Sequence, residues 1–165
     1  MNSKLIIFLT FVISMSVFSC GANTGVQKFK DRKANFEILI PGIPTVSEEI
    51  VEGVYMGAFF QYRIDSNNFY RIRYFYKPFS NQEFEKGLEA WQPGIIYVRK
   101  KTFEANGLSG LHYVTFDLQS GDTATQYRLI NTPAASYILE VKLGSEKQKT
   151  ILDADKFLNS FKLLH

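Results

Sequence analysis

The chain has 165 residues, a single cysteine and a formal net charge of +3, and 45% of its residues are hydrophobic. A chain this close to neutral lacks the basic excess of a nucleic-acid-binding protein, so nucleic acid is not an expected partner. A lone cysteine excludes an internal disulfide framework, and the length is enough for one domain stabilised by its own core.

The N-terminus has the pattern of an export signal. Lys4 precedes an apolar run over residues 5–18, which has the length of a signal-peptide core and is shorter than the ~20 residues of a membrane-spanning helix. The run ends in Val17-Phe18-Ser19-Cys20. These residues resemble the lipobox of bacterial lipoproteins, whose cysteine is acylated and becomes the mature N-terminus. Val17 and Phe18 replace the usual leucine and small residue.

Two interpretations of Cys20 follow. In the first, residues 1–19 are a lipoprotein signal peptide and Cys20 carries acyl chains such as palmitate, which anchor the protein in a membrane. In the second, the signal is an ordinary secretory one and Cys20 is a free thiol. We favour the first, because an unpaired thiol is a liability in an exported protein. Gly21, rather than an aspartate, follows the cysteine, and by resemblance to enteric sorting signals this favours the outer membrane.

Residues 20–33 comprise the lipidated cysteine and a small, polar stretch, which predicts a flexible tether. The folded domain is then expected to cover residues 34–165. It opens with alternating apolar residues at 36–40, a strand that Pro41-Gly42-Ile43-Pro44 ends, and residues 45–51 can form a second strand.

Residues 55–64 and 69–76 predict a β-hairpin. Pairing its apolar faces places Ile64 opposite Tyr70 and Tyr62 opposite Ile72. The loop is then Ser66-Asn67-Asn68, in which an asparagine can adopt the left-handed conformation of a three-residue turn.

The same register groups polar side chains on the other face of the hairpin, with Arg63 opposite Arg71 and Gln61 opposite Arg73. Like charges directly opposite each other destabilise a sheet unless they are compensated. Two explanations are open. The first is that a helix over residues 82–91 covers this face and brings one of its glutamates to the arginines: Glu83, Glu85 or Glu89. The second is an open site for an anionic ligand or an acidic partner, which arginine side chains bind well.

The remaining elements alternate between helix and strand patterns. Ser80 and Glu83 form a capping box for the helix, Phe84, Leu88 and Trp91 give it an apolar stripe, and Pro93-Gly94 ends it. Strand patterns return at residues 95–105, 108–118, 124–131 and 136–143. A closing helix follows Gly144, with an apolar side that includes Leu152, Phe157, Leu158 and Phe161.

Three short motifs span this domain: Phe36-Glu37-Ile38-Leu39-Ile40-Pro41-Gly42-Ile43-Pro44, Gly107-Leu108-Ser109-Gly110 and Phe157-Leu158-Asn159-Ser160-Phe161-Lys162-Leu163. In order and spacing they resemble small exported bacterial domains similar to PsbP, the extrinsic photosystem II subunit. The resemblance implies an α+β fold: an antiparallel β-sheet of about six or seven strands sandwiched by helices. Members of this fold mostly act as accessory or scaffold subunits. The resemblance transfers no catalytic residue, no cofactor and no photosynthetic partner.

Catalytic and metal-binding motifs are missing from the sequence. It contains two histidines, His112 and His165, and has no H-E-x-x-H, C-x-x-C or G-x-S-x-G pattern. His112 falls in a strand and is interpreted as structural. We therefore expect a non-catalytic, lipid-anchored binding or scaffold module of the cell envelope, without metal or cofactor, whose partner is another envelope protein. The alternatives are an envelope enzyme of the hydrolase type, which needs polar groups converging in a cleft, and an apolar-ligand carrier, which needs a cavity between sheet and helix.

Overall fold

The computed structural model describes residues 25–51, 54–91, 95–117, 124–144 and 152–164. The predicted signal peptide, Cys20 and His165 lie outside these ranges. Within them, the helices and strands are β1 (Gln27–Asp31), β2 (Phe36–Ile40), β3 (Thr45–Val51), β4 (Val54–Arg63), β5 (Phe69–Phe75), α1 (Asn81–Trp91), β6 (Ile95–Ala105), β7 (Leu108–Asp117), β8 (Ala124–Asn131), β9 (Ser136–Lys142), α2 (Ala154–Asn159) and β10 (Lys162–Leu163).

Seven strands form the main sheet in the order β3-β4-β5-β9-β8-β7-β6, and every neighbouring pair is antiparallel. The chain builds one edge with β3, β4 and β5 and then passes through α1 to β6 at the opposite edge. It returns through β7 and β8 to β9, which pairs with β5 in the middle. This sheet confirms the predicted antiparallel sheet of six or seven strands.

A second sheet, in the order β1-β2-β10, changes the predicted domain boundary. All five residues of β1 pair with β2, and the Phe29 ring lies 6.0 Å from that of Phe36 and 5.7 Å from that of Phe60. The prediction of a flexible tether is therefore wrong for Gln27–Asp31. The alternation of Phe29 with Lys28 and Lys30 gives the strand one apolar side, which the polar composition of the stretch conceals.

The larger hydrophobic core lies on one face of the main sheet. Tyr70 and Ile72 of β5 point into it and are fully buried. The small sheet contributes Phe36 and α2 contributes Phe157, whose ring meets that of Tyr70 edge-on at 5.1 Å. A three-stranded sheet and a short helix therefore share this face of the main sheet, for which the sequence predicts helices alone.

A second, smaller core packs against α1. The capping box predicted for this helix is confirmed: the Ser80 backbone N–H donates to the Glu83 carboxylate at 2.6 Å, and the Glu83 N–H donates to the Ser80 hydroxyl at 3.2 Å. Phe84 is buried, and its ring centroid lies 5.1 Å from that of Tyr113 in β7. The side chains of Leu88 and Trp91 lie outside the described part of the structure.

The three motifs quoted above meet in space. The Phe36 ring stacks on Phe161 at 5.6 Å, and the Ser160 hydroxyl accepts a hydrogen bond of 2.9 Å from the backbone N–H of Leu39. The Asn106 side chain, in the β6–β7 turn, donates to the carbonyls of Asn159 and Phe161 at 2.7 and 3.0 Å. The motifs therefore hold the first and last segments of the domain and the β6–β7 turn together.

Candidate functional site

The β4–β5 hairpin places the predicted polar residues on one face, in a register that differs from the prediction. Tyr62 lies opposite Tyr70, Gln61 opposite Arg71, and Arg63 opposite Phe69. The predicted register is therefore wrong by two residues. Because side chains alternate with a period of two, this shift keeps each residue on its predicted face and changes only its partner.

The loop explains the shift. One carboxylate oxygen of Asp65 accepts hydrogen bonds from the backbone N–H groups of Asn67 and Asn68, at 2.8 and 2.9 Å. The backbone N–H of Ile64 donates to the Asn68 carbonyl at 2.9 Å and closes the loop. Asp65 thus stabilises a five-residue loop from Ile64 to Asn68, and Ile64 leaves the strand pairing that its apolar side chain suggests.

Arg71 and Arg73 share a carboxylate from the neighbouring strand. In the β5–β9 pairing Arg71 lies opposite Glu140. The Glu140 Oε2 atom accepts from Arg71 Nη1 at 2.9 Å and from Arg73 Nη2 at 3.2 Å, and Arg71 Nε donates to the Gln61 side chain at 3.2 Å. The structure therefore brings Gln61, Arg71 and Arg73 together, around an acid that the sequence analysis does not identify.

One of the two explanations drew the partner of the arginines from α1, whereas the structure supplies it from β9. Glu83 caps its own helix, and its hydrogen bonds with the Ser80 backbone and hydroxyl lower the pKa of its carboxyl. Glu85 pairs with Lys100 of β6 and accepts a hydrogen bond of 3.0 Å from the Tyr113 hydroxyl; the bond with Lys100 is the main reason its pKa is lowered. The side chain of Glu89 lies outside the described residues.

The surroundings of this acid are strongly basic and partly enclosed. The Glu140 side chain is 0% exposed, against 17% for Arg71 and 13% for Arg73. In the adjacent row of the same face Arg63 and Lys142 flank Phe69, and Arg63 is exposed. We call these four cations the arginine face. Glu140 is the only carboxylate in the described cross-strand rows to which the arginine face belongs.

Aromatic rings hold the two arginines in place. The Arg71 guanidinium lies over the Phe69 ring at 4.5 Å from its centroid, and that of Arg73 lies 5.2 Å from the Phe59 centroid. Contacts of this kind stabilise a cation and restrict its orientation. A flat guanidinium that is held in this way presents its remaining N–H groups in a defined direction, as carboxylate or phosphate recognition requires.

Other types of site find less support. Across the described residues, no group of three or more histidine, cysteine, aspartate or glutamate side chains could hold a metal ion. A surface groove of about 660 Å³ lies beside the β6–β7 turn, lined by residues that include Glu37, Asn106 and Lys162. In the part of the chain that the structure describes, no helix is both long and apolar enough to span a membrane.

The described chain thus has a fold of two antiparallel sheets with two helices. It is similar to the solution structure of cyanobacterial PsbP (CyanoP) from Synechocystis sp. PCC 6803, with a TM-score of 0.59 and 15% sequence identity, over 89% of this chain and 98% of that one. A crystal structure from Bacteroides thetaiotaomicron matches with a TM-score of 0.39 and 13% identity, over 86% of this chain and 49% of that one. Neither a protein-family model nor a curated protein matches the sequence. The expected PsbP-like domain is confirmed as a fold.

Proposed function

We propose that this protein is a non-catalytic, lipid-anchored binding module of the bacterial cell envelope, and that the arginine face binds an acidic surface of a partner protein. The observation that carries the proposal is the imbalance of charge at this face. Arg71 and Arg73 share a single carboxylate oxygen, and Arg63 and Lys142 add two further cations nearby.

Arg71 has a hydrogen-bond donor left for a partner. A guanidinium has five N–H groups, and Arg71 uses its Nη1 to Glu140 and its Nε to Gln61. Its second amino nitrogen is left for an incoming carboxylate. Because Arg71 is 17% exposed, such a bond would form in a partly desolvated setting, where a charge-assisted hydrogen bond is stronger than in water.

The anchor would keep this face close to the membrane. Gln27, the first strand residue that the structure describes, is only seven positions after Cys20, so at roughly 3.5 Å per residue the domain begins within about 25 Å of the lipid. A tether reaching to residue 33 would have nearly doubled that distance. The short reach favours a partner that is itself in or on the membrane.

We also infer that the two helices sandwich the main sheet, as the family resemblance implies. Phe84 of α1 packs on Tyr113, whereas Phe157 of α2 packs on Tyr70. Followed through the strand registers, Tyr113 and Tyr70 lie on opposite faces. This arrangement supports one helix on each side, with α1 beside the arginine face.

A pair of variants tests the binding proposal. Arg63→Gln with Lys142→Gln removes two charges and leaves the bonds of Glu140 intact. Arg32→Gln with Lys86→Gln removes two exposed charges elsewhere and is the matched control. We expect both proteins to stay within about 0.5 kcal/mol of wild-type stability, as surface substitutions usually do. Crosslinking in native envelopes should then capture the wild-type partner with the control variant and several-fold less of it with the Arg63/Lys142 variant. Equal capture by the two variants would reject the arginine face as the binding surface.

A further inference from the structure

A second group of basic side chains lies on the other face of the main sheet. Arg128 of β8 is directly opposite His112 of β7, and His112 is opposite Lys101 of β6. Arg128 is 7% exposed and His112 is 5% exposed, whereas Lys101 is exposed. The row therefore runs from an accessible lysine to a buried histidine and a buried arginine.

Arg128 is buried without a hydrogen-bond partner on two of its nitrogens. Its Nε and Nη1 atoms are enclosed and unpaired, and so is the Nδ1 atom of His112. Its third nitrogen, Nη2, is not among these unpaired buried atoms. Native proteins leave few buried polar atoms unsatisfied, and an unoccupied ion site is one recognised reason for an exception.

Neighbouring residues fix the position of the Arg128 guanidinium. Arg128 lies over the Phe103 ring, 4.5 Å from its centroid. Phe103 is paired across β6 and β7 with Gly110, and a Cβ atom at Gly110 would come within 2.9 Å of that ring. The absence of a side chain at Gly110 lets the ring lie flat against the strand. The ring then supports the guanidinium from one side and leaves its N–H edge unblocked by Phe103.

Asp155, the acid whose charge acts on this group, makes no ion pair with Arg128. Asp155 of α2 acts on Arg128 and His112 only through its electric field, and its own side chain is exposed. A buried cation that makes no ion pair with this exposed acid is poorly compensated. A guanidinium N–H binds the oxygens of a carboxylate or phosphate well, and such a group would supply a missing acceptor.

We propose that Arg128 and His112 bind one small oxyanion, a carboxylate or phosphate group, which enters from the side of Lys101. In this site one of the two unpaired Arg128 nitrogens, Nε or Nη1, donates to the anion, and the His112 ring binds it through its unpaired nitrogen when protonated. The site lies on the opposite face from the arginine face, so it does not depend on the function proposed above. Failure of either proposal leaves the other standing.

The protonation of His112 provides a direct readout. Burial, followed by the charges of Arg128 and Lys101, lowers the pKa of His112 to about 4. Without a bound anion, the His112 imidazole is therefore neutral at pH 7. An anion beside the ring would favour the charged form and raise the titration midpoint of His112.

The experiment follows the imidazole signals by NMR in the full chain, purified in detergent. The chain has two histidines, so His165→Ala leaves His112 as the only imidazole. The probes are inorganic phosphate, acetate and a short glutamate-rich peptide, each compared with chloride at equal ionic strength. We expect phosphate or acetate to raise the titration midpoint of His112. A response to the peptide alone would identify a protein carboxylate as the source of the oxyanion.

Two variants decide whether Arg128 is responsible. Arg128→Gln should abolish the shift, and Arg128→Lys, which keeps the charge but not the planar guanidinium, should weaken binding of the active probe at least tenfold. Lys156→Gln, which removes an exposed charge from α2, should leave the shift unchanged. The proposal is overturned if no probe moves the His112 midpoint, or if the Arg128→Lys variant binds as well as the wild type. If Arg128→Gln fails to fold, the Arg128→Lys comparison decides alone.

Discussion

Replacing Glu140 with glutamine would remove the carboxylate that Arg71 and Arg73 share. Glutamine has nearly the same shape and can still accept one hydrogen bond, so the change mainly removes charge. The two guanidinium groups would then lie beside each other in a partly desolvated environment, without the carboxylate that they share. The substitution therefore measures how strongly the fold depends on a buried charge.

The exposure of the three side chains sets the size of the effect. Breaking a fully buried ion pair costs roughly 3–5 kcal/mol. Glu140 is 0% exposed, but Arg71 and Arg73 retain 17% and 13% exposure, so water can solvate them in part. We therefore expect the lower end, a loss of about 3 kcal/mol, which for a chain of this length lowers the melting temperature by roughly 10 °C.

Urea unfolding followed by the fluorescence of the single tryptophan measures this loss. The midpoint should fall while the dependence on urea stays the same, because the surface exposed on unfolding does not change. Glu48→Gln is the control: Glu48 pairs with Lys33 at the surface, and such pairs contribute about 0–1 kcal/mol. If Glu140→Gln loses no more stability than this control, the ion pair is not an important part of the core and our account of the face is wrong.

Three further predictions address other parts of the chain. Cys20→Ala should move the protein from the membrane fraction to the soluble fraction if Cys20 carries the lipid anchor, and an unmodified thiol in the mass spectrum of the wild type would contradict this. A chain beginning at Lys33 lacks β1 and the Phe29 ring, so it should lose about 3 kcal/mol in urea unfolding relative to one beginning at Gly25; equal stability would support the tether over Gln27–Asp31 after all. The pKa of His112 is lowered from 6.5 to about 4, so the unfolded chain binds more protons between these pH values and folding stability should fall as the pH falls from 7 to 4. In chloride buffer, His112→Asn should lose less stability over that interval, and identical profiles would contradict the burial of a neutral imidazole.

Features that depend on nearby residues could be predicted from the sequence. Ser80 and Glu83 are three residues apart, so their capping box follows from helix geometry alone. The faces of the β4–β5 hairpin follow from alternation in the same way. In both cases the interacting groups are close in the chain, and the local pattern contains all the information needed.

The hairpin register shows where that information ends. Apolar matching cannot distinguish registers that differ by two residues, because both keep every side chain on its face. The register is fixed by Asp65, whose carboxylate accepts hydrogen bonds from the backbone N–H groups of Asn67 and Asn68 and so sets the length of the loop. An aspartate followed by a serine and two asparagines, flanked by strands, is a recognisable turn signal, and it would have favoured the longer loop.

The partner of the arginines could not be inferred from local patterns. Arg71 and Glu140 are 69 residues apart in the chain, and only the β5–β9 pairing brings them together. One signal did exist: Glu140 is the only charged residue in the middle of an otherwise apolar stretch of β9. An acid in a central strand requires a cation from a neighbouring strand, and β5 has two arginines at the matching spacing.

The two buried basic groups of this domain differ in one respect that bears on function. On one face, Glu140 neutralises part of the charge of Arg71 and Arg73, and the core closes around an internal acid. On the other face, Arg128 has a ring beneath it and no acid bound to it. The fold supplies a carboxylate to Arg71 and Arg73 and none to Arg128, which supports compensation of Arg128 by an anion from outside. This difference, more than the total charge of the chain, is the physical reason to look for an external anion at Arg128.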